Sequence, residues 1–131
     1  MLYRDIFELE TVSDGVYDIT SSVKAVLKDS KIKEGTCNLF LTATTAGMMI
    51  NENNRMLFED FRKAFDAVAP EKKFYKHPEN AFSHIRSSML SQHLAIPVSN
   101  SDLVLGEWQS ILLWEFDVGE RKRKIVVTIS Y

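Results

Sequence analysis

Two hydrophobic periodicities divide this chain, and they do not alternate along it. In its middle, Leu57, Phe61, Ala64, Phe65 and Val68 make one helical stripe that stops before Pro70. Ala81, Phe82, Ile85 and Met89 make a second, with Pro78 suited to the first turn of that helix. A shorter helical stretch, Val23, Val26 and Leu27, lies further forward behind a cap at Asp18 or Thr20. The rest reads as strands. Tyr3 to Val12 is followed by the turn Ser13-Asp14-Gly15 and by Val16-Tyr17, and Thr36 to Ala43 by Gly47 to Ile50. Leu94 to Val98 and Leu103 to Leu105 flank the turn Ser99 to Asp102, and Trp108 to Asp117 and Lys124 to Tyr131 complete the set. The order is strand, helix, two strands, two helices, several strands. Segregated helices exclude a doubly wound parallel sheet and predict an α+β fold.

With 131 residues, 45% hydrophobic and 26% charged, and with no repeat or Gly/Ser-rich linker, the expectation is a single domain over residues 1–131. The net charge of −2 gives no footprint for nucleic acid, which would need a positive excess. The one basic run, Arg121-Lys122-Arg123-Lys124, reads as a solvated tip that protects a sheet edge. A single cysteine, Cys37, excludes an internal disulfide and reads as a small core hydrophobe, having no activating base in its local sequence. No window holds the ~20 apolar residues that cross a bilayer, and no signal segment opens the chain. The expected location is cytoplasmic, without a membrane partner.

The common catalytic motifs are absent: there is no phosphate-cradling glycine loop, no HExxH, no CxxC pair and no GxSxG elbow. Three histidines remain, His77, His84 and His93. On one continuous helix His77 and His84 would share a face yet lie ~10 Å apart along the axis. That is too far for one ion, so a shared metal requires His77 on a loop folded back over the helix start. The block Asn51-Glu52-Asn53 sets a carboxylate between two amides ahead of a helix, a pattern that serves either capping or a polar ligand. Arg86-Ser87-Ser88 offers a cation and hydroxyls to a phosphate, or simply the polar side of a helix. Trp108 is expected in the core, with Gln109 turned to a cleft. Glu115 and Asp117 read as an acid pair or as the wet side of a strand.

Taken in order, these blocks resemble the YjbQ family, the secondary thiamine-phosphate synthase-like proteins. The matching stretches are Thr44-Thr45-Ala46, Ile50-Asn51-Glu52-Asn53, Tyr75-Lys76-His77, Ser83 to Leu90, Pro97-Val98, Leu105 to Ile111 and Glu115-Phe116-Asp117. The resemblance implies a β-sandwich with helices clustered on one side, a homotrimer, and weak thiamine-phosphate synthase activity. In that reaction hydroxymethylpyrimidine pyrophosphate couples to thiazole phosphate. It also implies site roles. His84 and Glu52 would be catalytic, and Thr44, Thr45, Asn51, Asn53, Arg86, Ser87 and Gln109 would contact substrate or phosphate. His77 and His84 would hold a divalent metal, zinc or magnesium.

The chain departs from the family pattern at Ala43, where relatives carry the first histidine of a His-Thr-Thr/Ser-Ala motif, and at Glu107, where many have Thr. Alanine supplies neither ligand nor proton, so metal affinity falls. The departures imply degenerate activity, or a non-catalytic trimeric module that binds a phosphorylated small molecule.

Overall fold

The computed structural model describes every residue from Met1 to Tyr131. A ten-residue strand, β1 (Leu2–Thr11), is followed by a turn in which Asp14 takes a left-handed φ of 61°, and by the short β2 (Val16–Asp18). Helix α1 (Thr20–Ser30) starts where Asp18 Oδ1 accepts both the Thr20 amide and hydroxyl, at 3.0 and 2.6 Å. Then come β3 (Gly35–Leu41), β4 (Ala46–Asn51), α2 (Arg55–Val68) and α3 (Ala81–Met89). Asn54 caps α2 by accepting the Met56 and Leu57 amides. The last third is β5 (His93–Ser99), β6 (Asp102–Leu103), β7 (Ser110–Glu115) and β8 (Arg121–Ser130). Asn100 and Ser101 join β5 to β6 with φ of 53° and 64°, the backbone of a tight two-residue hairpin turn.

All pairings are antiparallel. Five strands form one sheet in the order β1-β8-β3-β5-β6, and three form another in the order β2-β7-β4. The main core lies between the sheets. It joins Cys37, Leu39, Leu41, Ile96, Ile125, Val127 and Ile129 of the large sheet to Met48, Ile111 and Leu113 of the small one. Helix α1 adds Val23, Val26 and Leu27 to that cluster. The opposite face of β7 sends Leu112 and Trp114 to Phe58 and Phe65 of α2, joined by Phe116 just past the strand. Strand β7 is therefore covered on both faces, which explains its unbroken apolar run. The fold is α+β, as the segregated pattern predicts, with the two packed sheets that the family resemblance implies. Helix α3 runs beside β4, and their backbones approach so closely that a Cβ on Gly47 would sit 2.7 Å from Leu90 Cβ.

Several local readings change. Phe58 and Phe65 carry the buried side of α2, while Val68 is 61% exposed, so the stripe is rotated from the one read in sequence. Pro78 lies in the turn ahead of α3. That helix buries Phe82, Ser83 and Ser87 and leaves Ile85 and Met89 partly open. Trp108 is 68% exposed, not core, because it sits in a tight turn outside both sheets. The basic run opens β8, paired there with β1 while β3 joins only from Ile125 on, and Arg123 within it turns inward to Glu115 instead of standing at a solvated tip. No helix is long and apolar enough to cross a membrane.

Candidate functional site

The sequence-predicted residues collect at opposite ends of β4. At its C-terminal end lie Asn51, Glu52 and Asn53, with Ser110 paired to Asn51 across the sheet. Asn53 Nδ2 donates to Asp18 Oδ2 at 3.0 Å, and Asn51 Oδ1 accepts the Glu52 amide at 2.8 Å. Burial raises the Asp18 carboxyl, but hydrogen bonds from Thr20, Asn53 and Ser110 outweigh it and leave the group below 3.8. The Glu52 carboxylate makes no hydrogen bond or ion pair within the chain. Gln109 turns back on its own loop, its Oε1 accepting the Gly106 amide at 2.7 Å.

At the other end, a shallow cleft of about 330 Å³ is lined by Ala43, Thr44, His84, Ser87, Ser88 and Gln92. His77 stands on the loop before α3, and its ring centroid comes within 5.2 Å of that of His84. The loop therefore folds back over the helix start, the condition under which both rings reach one ligand. Thr44 and His84 share the cleft wall with Ala43.

Next to the cleft lies a polar network built on Glu115 and Asp117, which the sequence reading left as an acid pair or the wet side of a strand. Glu115 is fully buried and accepts from Arg123 Nε at 2.7 Å, Arg123 Nη2 at 2.6 Å and the Thr11 hydroxyl at 2.6 Å. Arg123 Nη2 also donates to Thr45 Oγ1, whose hydroxyl goes on to Asp117 Oδ2 at 2.9 Å. Asn80 Nδ2 bridges both Asp117 oxygens at 3.3 and 3.4 Å, and Arg121 Nε lies 3.4 Å from Oδ2. Burial pushes the Asp117 carboxyl up. The Val118 amide, Asn80, Thr45 and the Arg121 charge pull it below 3.8, so it is ionised at neutral pH. The network ties Thr45, in the bend just ahead of β4, to Asn80, at the start of the helix that carries His84. A signal for it existed: Glu115/Asp117 and Arg121/Arg123 share the same two-residue spacing.

Thr45 and Ser87 are consequently structural within one chain. Ser87 is 1% exposed, donates to the Ala46 carbonyl at 2.6 Å and accepts from Gln92 Nε2 at 2.9 Å. Arg86 leaves the other side of α3, where its Nε donates to the Ala69 carbonyl at 2.9 Å and its guanidinium covers the Phe82 ring. Arg86 and Ser87 thus form no joint phosphate contact. Thr44, His77 and His84 come together; Asn51, Glu52, Asn53 and Gln109 stand apart from them, roughly 20 Å away along the six residues of β4. His93 follows the cleft residue Gln92 in sequence but turns to the outer face of the large sheet, beside Asn38.

The donor set is two imidazoles. Their spacing suits two ligands of one ion, but no group of three or more His, Cys, Asp or Glu gathers anywhere. A catalytic zinc takes three protein ligands, so this chain alone falls one short. Cys37 adds nothing, because burial pushes its thiol up to about 11 and it is fully enclosed in the core.

A family model described as UPF0047 protein YjbQ-like matches residues 5–131. A UPF0047 protein of Methanothermobacter thermautotrophicus is 38% identical over 116 residues, covering 86% of this chain and 80% of that one. The UPF0047 protein YugU of Bacillus subtilis is also 38% identical over 116 residues, covering 86% and 87%. Among solved structures, an uncharacterized conserved protein of the yjbq/upf0047 family from Clostridium acetobutylicum superposes with a TM-score of 0.90. It is 36% identical, over 96% of this chain and 99% of that one. A protein of unknown function from Sulfolobus solfataricus, of the same fold, gives a TM-score of 0.88 at 29% identity, over 98% of each chain.

Proposed function

The chain belongs to the YjbQ-like UPF0047 family, and from that premise we propose that the His77–His84 cleft binds phosphorylated small molecules and carries weak thiamine-phosphate synthase activity. In this reaction the thiazole nitrogen bonds to the methylene of hydroxymethylpyrimidine pyrophosphate as the carbon–oxygen bond to the leaving pyrophosphate breaks. The protein's task is to hold the two reactants in line and to offset charge on the departing group. The observation that supports the reading is the approach of the His77 and His84 rings to 5.2 Å. Both rings are free to donate to phosphate oxygens, with the Thr44 hydroxyl beside them.

A divalent metal at the pair would supply charge neutralisation on the pyrophosphate, and His77 and His84 would hold it. With two ligands and Ala43 in the third position, such binding is weak, and no step depends on it here. Glu52, with Asn51 and Asn53, can join this cleft only from another copy of the chain, which is a physical reason for the homotrimer that this reading includes.

The test is formation of thiamine phosphate by the purified protein, supplied with both phosphorylated precursors and a divalent metal. Turnover should be present and lost in His84→Ala; an unchanged rate in that variant would assign the chemistry elsewhere. Ala43 favours a second reading, a non-catalytic binding module. Under that reading the precursors raise the unfolding temperature, as a ligand at 100 times its Kd adds ~2.7 kcal/mol, while no product appears.

A further inference from the structure

We infer that the cleft at the C-terminal end of α1 is a binding site for a compact polyanion, a di- or triphosphate group. The cleft has a volume of about 450 Å³ and is lined by Lys24, Lys28, Lys31 and Lys33, with Ser101 and Asp102 on the opposite rim. It shares no residue with the His84 cleft. Four exposed lysine side chains line the cleft, with Asp29 beside Lys28 on the same helix, on a chain whose net charge is −2. Lys24 reaches Asp102 at 3.6 Å, and the other three lysines form no ion pair. The nearby Glu34 carboxylate is engaged by the hairpin, accepting from the Ser99 hydroxyl and the Asn100 amide at 3.2 and 3.3 Å.

Helix capping does not account for the cluster. Cations do favour a helix C-terminus, but only over the last turn. The terminal carbonyls here already have partners: Leu27 O accepts the Ser30 hydroxyl at 2.6 Å and Lys28 O accepts the Lys31 amide at 3.2 Å. Lys31 moreover occupies a left-handed position, φ 61°, where glycine is the usual and less strained residue. The frame behind the lysines is rigid. Leu27 and Ile32 are buried beneath it, and the Ser101 amide donates to Lys33 O at 3.1 Å, tying the hairpin rim to the lysine segment. Crowded, unpaired lysines raise the local potential and draw multivalent anions, and phosphate oxygens match ammonium point charges without requiring a planar fork.

The experiment is calorimetric titration of the full chain with sodium tripolyphosphate and, separately, with a nucleoside triphosphate. Saturable binding is expected, weakened about ten-fold by Lys28→Gln and by Lys31→Gly, and unchanged by Lys72→Gln, a lysine outside the cleft. Lys31→Gly should at the same time raise the unfolding temperature, since it relieves the left-handed residue. That opposite response of stability and binding separates a binding role from a structural one. Equal affinity for the two probes means that the phosphates alone are recognised. Tighter binding of the nucleotide means that a base or ribose adds to the same site. Absence of saturable binding at millimolar probe, or equal loss in Lys72→Gln, would overturn the inference. So would a Lys31→Gly protein that is more stable yet binds as before, or an RNA oligomer that binds far more tightly than either probe.

Discussion

At the scale of single residues, the site stands on the fully enclosed pairing of Glu115 with Arg123. Both carboxylate oxygens are used and the arginine side chain is only 11% exposed, so neither charge has water to fall back on. Removing one member of such a pair leaves the other buried and unpaired, a cost of about 3–5 kcal/mol. Arg123→Ala should therefore lower the stability measured by urea unfolding by that amount, and the loss should shrink when Glu115→Gln is combined with it. A loss below 1 kcal/mol would mean that water reaches Glu115. This is also where the sequence was hardest to read. Charged residues at alternate strand positions look like a solvated face, and Arg121 to Lys124 look like a protective tip. Only the register of β8 on β1, with Arg123 opposite Leu9, and the buried Glu115 that it meets show Arg123 turned inward. Cys37 shows the opposite case, since an isolated thiol in an apolar run has one reading and the core cluster bears it out.

At the scale of elements, pattern carried most of the fold. The strand blocks lie within a few residues of where alternation and turn signals put them, because each is bounded by Gly, Pro or Asn chemistry that acts locally. The faces of α2 and α3 were less legible. The helix pattern around Phe61 fits more than one stripe, and Trp114 selects among them: Phe65 packs edge-on to it at 5.2 Å and Phe58 at 5.6 Å. Phe65→Ala should accordingly cost about 3–5 kcal/mol, and Val68→Ala no more than about 0.5 kcal/mol, in the same unfolding experiment. Comparable losses would restore the stripe read from sequence. Helix α3 reverses the usual logic by burying two serines, because Ser87 serves as a partner for the Ala46 carbonyl at the edge of β4. Nothing in the spacing of that helix announces such a contact. The meeting of His77 and His84 was legible only as a condition, since a loop's path is set by tertiary contacts such as Asn80 Nδ2 on Asp117 Oδ1 at 3.3 Å.

At the scale of the whole molecule, the separation of the two groups of polar residues is the observation with most consequence. One copy of the chain presents His77, His84 and Thr44 at one end of β4 and Glu52 with its two asparagines at the other. If both groups act on one substrate, copies must associate, and exposed apolar residues such as Ile85 and Met89 on α3 lie close to the His84 cleft. The mass in solution should be that of three copies of a 15.0 kDa chain, read by light scattering. A monomer would remove Glu52 from the site and leave the histidine cleft to act alone.

The central claim is that the His77–His84 cleft engages the substrate. It is tested most directly by the imidazole nitrogen NMR spectrum, recorded with and without thiazole phosphate and zinc. The resonances of His77 and His84 should move together on titration while His93, on the outer face of the large sheet, stays fixed as an internal reference. Unmoved resonances for the pair, or a response of His93 equal to theirs, would contradict the account.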